Sequence, residues 1–309
     1  RDSKDANECL QKFGVGGIIE ALQNASPFPI EGTYTISDYS DAINDIYQNG
    51  LPKGAKTMMT ELDKHITYHK GYIYTITGIP SHGKSSLLDQ IALQLCVTSG
   101  WKGAFYSPEN KPTSLHVTNM ARKLIGKAWD GPNRISRKEV ELVKAYLNDK
   151  FFFIKPENNF TLDSILKHIK ILKERKGIDF FVIDAWNKLE HKREGKDETE
   201  YIGQSLDKLA NFCEMTNVLC FLVAHPTKML KDKNEKYLVP TLYNISGSAN
   251  FYNKSDAGLC VYRDFDSGTT TVYVQKVKFT HWGKDGVNFL VTAVFDWHSL
   301  YAFAYFKFD

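Results

Sequence analysis

The stretch Thr75–Leu95, TITGIPSHGKSSLLDQIALQL, decides the fold. Its residues Gly78 to Ser85 fit G-x-x-x-x-G-K-[ST], the phosphate loop in which backbone N–H groups cradle phosphates and a lysine reaches the β and γ oxygens. Such a pattern means a nucleotide site only when it follows a buried strand and opens a helix; otherwise it is a glycine-rich turn. Both flanks comply. Gly71–Thr77 is rich in β-branched and aromatic residues, and beyond Lys84 the apolar positions Leu87, Leu88, Ile91 and Leu95 recur at helical spacing as far as Thr98.

Outward from the loop, from about Thr57, strand and helix patterns alternate, which predicts an α/β fold with a mainly parallel sheet covered on both faces. The apolar strands expected are Ile73–Thr77, Gly103–Ser107, Phe151–Lys155, Phe180–Asp184, Val218–Ala224 and Gly258–Arg263, with amphipathic helices such as Leu162–Arg175 and Tyr201–Met215 between them. Thr270–Phe279 and Asn288–Phe308 alternate with period two and read as antiparallel strands added at one edge.

The N-terminal part is different. Lys4–Ile30 predicts one or two short helices interrupted by Gly14, Gly16 and Gly17, then an extended Pro-containing stretch over 26–30. Thr35–Gly50 predicts a helix capped by Ser37 or Asp38, with Tyr39, Ile43 and Ile46 on one face and Gly50 as its stop. This part is too small for a core of its own, so it is expected to lie on the large domain or on a neighbouring subunit.

With 309 residues the chain can bury one large core plus an appendage. It opens on Arg1 rather than Met, as expected of a segment of a longer protein or a processed one. No apolar run approaches the roughly 18 residues of a membrane span. Cys9, Cys96, Cys213, Cys220 and Cys260 are scattered and odd in number, which predicts reduced core thiols in a cytosol-like compartment, not disulfides or a zinc site. A net charge of +3 is too small to indicate nucleic acid, so any DNA contact must come from local clusters.

Phosphate-loop ATPases hold Mg²⁺ with the loop Ser or Thr and an aspartate at a strand end. In FFVIDAWNKL, four apolar residues deliver Asp184 to that position, opposite Ser85; taken alone, Asp184 also suits a helix N-cap. Glu109, in GAFYSPEN, follows the next strand and can orient and deprotonate water, or else lies in solvent. His225 ends the strand NVLCFLVAHP, as a structural histidine or as a sensor of the γ-phosphate.

Together TGIPSHGKSS, FYSPEN, FFVIDAWNKL, FLVAHPTK and ISGSANFYNKSDAGLCVYRD, in this order, resemble the helicase domain of DnaB-type replicative helicases, closer to the phage primase-helicase and mitochondrial Twinkle branch than to DnaB itself. The resemblance covers about Leu51 to Asp309 and implies a RecA-like ATPase domain over 56–309 that uses ATP, or another NTP, with Mg²⁺. It implies a ring, hexameric in relatives, that translocates on single-stranded DNA and separates the duplex at a fork, in a bacterial or phage-infected cell cytosol. Residues 1–30 resemble the tail of a Toprim primase module with the start of a linker, and 31–55 a linker helix that packs on the adjacent subunit.

Residue by residue, the resemblance implies nucleotide contacts from Gly78, Ser81, His82, Gly83, Lys84, Ser85, Ser86 and Arg263, metal ligation by Ser85 and Asp184, and catalysis by Lys84, Glu109 and His225. The loop HPTKMLKDKNEKYLVP carries Lys228, Lys231, Lys233 and Lys236 and matches the DNA-binding channel loop of relatives. By charge alone it is equally a solvated surface, since Asp232 and Glu235 are interspersed. NKLEHKREGK, after Asp184, adds a second mixed basic run. One departure stands out. Relatives carry Lys-x-Arg or Asn-Arg in a late hairpin, as a finger into the neighbour's ATP site, and this chain has Lys276 and Lys278 in VQKVKFTHWGKDG. Either Lys278 supplies the finger without arginine's fork, or the finger lies elsewhere.

Three other readings compete: a RecA-type recombinase or regulatory ATPase, a nucleotide-gated DNA-binding scaffold that does not unwind, and a metabolic kinase. The last lacks a recognisable lid and acceptor site.

Overall fold

The computed structural model describes residues 3–25, 30–227, 229, 231, 233, 237–246 and 248–290. The expected extended stretch over 26–30 and most of the expected strand over 288–308 therefore lie outside the described residues. The chain divides into two compact units, Arg1–Pro52 and Lys53–Asp309.

In the first unit, α1 (Ala6–Gln23) starts where the Asp5 side chain accepts from the Glu8 N–H and kinks at Gly14. The expected interruption is thus a bend within one helix. α2 (Ser40–Asn49) follows a 3₁₀ turn over Ile36–Tyr39. The N-cap is Thr35, not Ser37 or Asp38: the Asp38 carboxylate reaches back to the Thr35 N–H at 2.6 Å and its hydroxyl at 2.9 Å, closing a capping box one turn earlier. Gly50 ends the helix with φ 79°, and α2 buries none of its residues.

In the second unit α3 (Thr60–Asp63) precedes an eight-stranded sheet, counted among the described residues. Its strands are β1 (Ile73–Thr77), β2 (Gly103–Tyr106), β3 (Phe151–Phe153), β4 (Phe180–Asp184), β5 (Leu219–Val223), β6 (Ala257–Arg263), β7 (Thr270–Val277) and β8 (Val287–Leu290), in the order β3-β2-β4-β5-β1-β6-β7-β8. Across the sheet from β3 as far as β6 all neighbours pair in parallel, while β7 and β8 add antiparallel at the β6 edge.

Strand residues alternate between two cores, because successive side chains point to opposite faces. Tyr74, Ile76, Phe105, Phe180, Val182, Phe221 and Val261 pack with α4 (Lys84–Ser99), α5 (Thr113–Ile125) and α6 (Arg137–Lys150). Ile73, Ala104, Phe181, Ile183 and Leu222 pack with α7 (Leu162–Lys176), α8 (Glu198–Thr216) and α9 (Ser248–Lys254). A sheet buried on both faces explains why its strands are unbroken apolar runs.

The register aligns the strand ends that matter. Ile76 lies beside Val223, Asp184 also beside Val223, Thr77 beside Cys260 and Tyr106 beside Ile183. The carboxyl ends of β1, β2, β4, β5 and β6 therefore open on one pole of the sheet, where ligands bind in open α/β sheets.

Candidate nucleotide-binding site

Gly78 leaves β1 with φ 144° and lies so close to β6 that a Cβ on it would stand 2.3 Å from the Val261 carbonyl oxygen. Only glycine lets the chain turn there. Ser81 follows at φ 65°, and Gly83 precedes the first turn of α4, whose N–H groups face the loop. Lys84 is buried, its ammonium donating to the Gly78 and Ile79 carbonyls, both at 2.9 Å. Burial pushes the Lys84 pKa down, while the Asp184 and Glu109 charges pull it back up.

His82 ties the loop to β6: its Nδ1 accepts from the Arg263 N–H at 2.9 Å, which requires the neutral ring with hydrogen on Nε2. Burial first, then the Lys84 and Arg263 charges, hold its pKa below the usual histidine value. Arg263 lays its guanidinium over Phe265, with 5.3 Å to the ring centre.

Lys84, Ser81, Gly83, Ser85 and Ser86 line a cavity of about 690 Å³ together with Glu109, His225, Asn187 and Lys188. Glu109 comes three residues after β2, and its carboxylate stands 3.5 Å from His225 Nε2 and 3.6 Å from Lys188 Nζ. The His225 backbone N–H donates to the Asn187 side chain at 3.1 Å. Burial lowers the His225 pKa, Lys84 adds to this, and Glu109 opposes it.

Asp184 ends β4 almost wholly buried, at 2 % exposure, and its Oδ1 has no hydrogen-bond partner. Burial raises its pKa to about 6, against the lowering effect of its hydrogen bond with Ser85. A buried carboxylate oxygen without a donor, beside a hydroxyl, is the donor set a Mg²⁺ ion takes when phosphates and water complete its shell. No group of three or more His, Cys, Asp or Glu that could hold a metal occurs among the described residues, which fits an ion of that kind and not a protein-only cage.

Asn187 and Lys188 are cavity residues that the sequence does not disclose, since Lys188 reads as part of a solvent-facing basic run. The 3₁₀ turn Trp186–Lys188 directs it inward, and turns so short leave no periodic signal. Of the expected DNA loop, Lys228 and Lys236 lie outside the described residues; Lys231 bridges in antiparallel fashion to Tyr237, with its ammonium 5.4 Å from that ring's centre, and Lys233 is exposed.

Lys276 and Lys278 are not at this cavity. β7 runs back from the Arg263 end of β6 to its start, so the pair lies about 20 Å away, at the other pole, by the rise of a seven-residue strand. Lys278 Nζ donates to Asp256 at 2.7 Å, and Lys276 Nζ donates to the carbonyls of Tyr252 and Asn253 at the end of α9.

A phosphate loop at a switch point of a mostly parallel sheet, faced by carboxylates from two further strands, defines the RecA-like class of phosphate-loop ATPases. The chain belongs to the DnaB-like helicase C-terminal domain family, whose model matches residues 54–289. It is similar to the Twinkle homolog protein, chloroplastic/mitochondrial, of Arabidopsis thaliana, with 36% identity over 85% of this chain and 38% of that protein. It also resembles a probable plasmid replicative DNA helicase of Chlamydia psittaci, with 22% identity over 73% of this chain and 49% of that one. The chain thus spans about half or less of these curated relatives. Among solved structures, a helicase ATPase domain matches with a TM-score of 0.63 and 16% identity, over 85% of this chain and 95% of that chain, which bears on the fold alone.

Proposed function

We propose that this chain is the ATP-driven motor domain of a replicative DNA helicase of the primase-helicase branch, working as a hexameric ring on single-stranded DNA. The observation that carries it is the convergence of Lys84, Ser85, Glu109 and His225 on one cavity, with the unpartnered Asp184 oxygen beside Ser85.

In this reading the N–H groups of the loop and of the first turn of α4 bind the phosphates of ATP, and Lys84 exchanges its two carbonyl partners for β and γ oxygens. Ser85 and Asp184 hold Mg²⁺, which when bound neutralises charge on the phosphates. Glu109 orients a water and accepts its proton. His225, kept neutral by burial and within reach of Glu109, donates to the γ-phosphate and transmits its loss to the loop after β5. That loop, with Lys228, Lys231, Lys233 and Lys236, holds the DNA backbone by phosphate contacts. Gly78, Ser81, His82, Gly83 and Ser86 complete the phosphate site, and Arg263, tied to the loop through His82, faces the base.

The first unit carries residues 1–30 as the end of a primase-like module and residues 31–55 as a linker. Ile43, Ile46 and Tyr47 are exposed on α2, and such a helix gains stability by packing on another subunit. Lys276 or Lys278 supplies the cation to a neighbour's site. Five unpaired, buried cysteines suit a reducing compartment, and among the described residues no helix is long and apolar enough to cross a membrane.

Strand displacement on a forked duplex tests the proposal. ATP and Mg²⁺ together should release the displaced strand, and Lys84→Ala should abolish release. If assembled protein hydrolyses ATP in response to single-stranded DNA but releases nothing, the recombinase or scaffold reading takes its place.

A further inference from the structure

Behind the phosphate loop, α5 sends a buried ammonium into the start of α4. Lys123, only 7 % exposed, donates to the Ser86 carbonyl at 2.6 Å and to Ser86 Oγ at 2.7 Å. Asp89, one turn further along α4, is buried beside it and shares a hydrogen bond with His116 Nε2 at 2.8 Å, with the His116 ring set edge-on against Phe105 and Phe153. Two residues of α5 thus grip two residues in the first turns of α4.

A helix pair has no need of a buried lysine to pack. Taking an ammonium out of water is costly unless it is fully hydrogen-bonded and its charge is balanced. Burial pushes the Lys123 pKa down to about 8, and the Asp89 charge opposes that fall. A methionine would fill the same space at no such cost, so the donor itself is what the site retains.

Ser86 is the next residue after Ser85 and lines the nucleotide cavity. Among the described residues its Oγ has one hydrogen-bond partner, Lys123. A serine hydroxyl has two acceptor lone pairs and one hydrogen, and in the first turns of a helix that hydrogen is commonly lost to a backbone carbonyl. An ammonium can only donate, so its bond occupies a lone pair and leaves the hydrogen for an acceptor in the cavity. We propose that Lys123 is a positioning residue for the nucleotide: it holds the Ser86 hydroxyl as a donor aimed at a phosphate oxygen of bound ATP. Asp89, fixed by His116, balances the charge that does this. The inference rests on the nucleotide reading of the cavity.

The test is equilibrium titration of a fluorescent ATP analogue with Mg²⁺ into the 309-residue chain and its variants, each first checked by circular dichroism. Lys123→Met keeps the buried stem and removes the donor; it should weaken nucleotide binding about tenfold, the equivalent of roughly 1.4 kcal/mol. Ser86→Ala should lose a similar factor. Because Lys123 acts through Ser86, the double variant should be no weaker than the worse single one, a coupling that a merely structural role would not produce. The turnover number at saturating ATP should stay within about twofold. Unchanged affinity in folded Lys123→Met, or losses that multiply to about a hundredfold in the double variant, would overturn the proposal. Should Lys123→Met not fold, Lys123→Gln decides in the same way: its amide stops about one bond short of Ser86, so the same loss is expected and full affinity refutes it. Lys84→Ala separates the two levels. If it binds nucleotide normally, the cavity is not a nucleotide site; if it fails to bind while Lys123→Met binds normally, only the inference about Lys123 falls.

Discussion

At the scale of single residues, the site works through groups whose ordinary chemistry is altered by position. Lys84 is a buried cation with carbonyl partners, poised to trade them for phosphate oxygens, and Asp184 is a buried carboxylate with an unused oxygen. Glu109 differs from both, since its side chain keeps 35 % exposure and its neighbours His225 and Lys188 stand at 3.5 and 3.6 Å. That is a carboxylate with room for a water between itself and a phosphate. Glu109→Gln should therefore bind ATP with near-normal affinity and lose about a hundredfold or more in hydrolysis, because the amide keeps the shape but has no base. Nucleotide trapping measured beside phosphate release separates the two steps; release near the wild-type rate would assign the water to another residue. Lys84, Ser85, Asp184, Glu109 and His225 are all legible in the sequence because a strand end fixes where the next polar residue must project. Lys123 is not, since a lysine in a helix reads as solvent-facing until the neighbouring helix is in place.

At the scale of elements, the parallel strands are legible within one or two residues, because burial on both faces leaves apolar runs that no exposed element sustains. α5 and α6 are not. The buried set of α5 contains His116 and Lys123 beside Met120, Ala121 and Leu124, so a polar pair dilutes the apolar period that reveals a helix. Between β2 and β4 the sheet depends on a missing side chain: a Cβ on Gly103 would lie 2.1 to 2.8 Å from the buried Phe180 ring. Gly103→Ala should thus destabilise the second unit by about 1–3 kcal/mol through overpacking, visible as a lower urea midpoint at unchanged slope. An unchanged midpoint would mean that Phe180 repacks freely. The loop after β5 makes the complementary case, in which function and not packing is at stake. Replacing Lys228, Lys231 and Lys233 by Ala should weaken single-stranded DNA binding for every sequence and flatten its salt dependence by up to about three in log–log slope, since each phosphate contact releases about one counterion. Basal ATP hydrolysis should persist while its stimulation by DNA disappears. Equal affinity and equal slope would return the loop to ordinary surface.

At the scale of the whole molecule, the sheet separates two functions at its two poles. The phosphate loop, Glu109, Asp184 and His225 gather at one pole, whereas Lys276 and Lys278 lie at the other, where Lys278 pairs with Asp256 and the second Asp256 oxygen accepts from the Ile73 N–H at 2.9 Å. Lys278 therefore cannot reach the cavity of its own chain, and any effect it has on hydrolysis must be exerted on another subunit. A cation brought to the γ-phosphate stabilises the charge of the transition state, and arginine fingers in related ATPases contribute about 10³ to 10⁵ in rate. Lysine supplies the charge without the two-pronged geometry, so Lys278→Ala should lose most turnover and Lys278→Arg should keep or raise it. Mixing distinguishes action in trans from damage in place. A Lys278→Ala chain keeps an intact phosphate loop, and a Lys84→Ala chain keeps an intact Lys278, so each is inactive alone while mixed assemblies contain some interfaces with both parts. ATP hydrolysis should reappear on mixing and vary with the ratio of the two chains. If chains exchange, as energy transfer between labelled subunits would report, and hydrolysis still does not return, Lys278 is not the finger. Dilute monomers that hydrolyse ATP as fast as assemblies would lead to the same conclusion, and Lys276 would become the next residue to test.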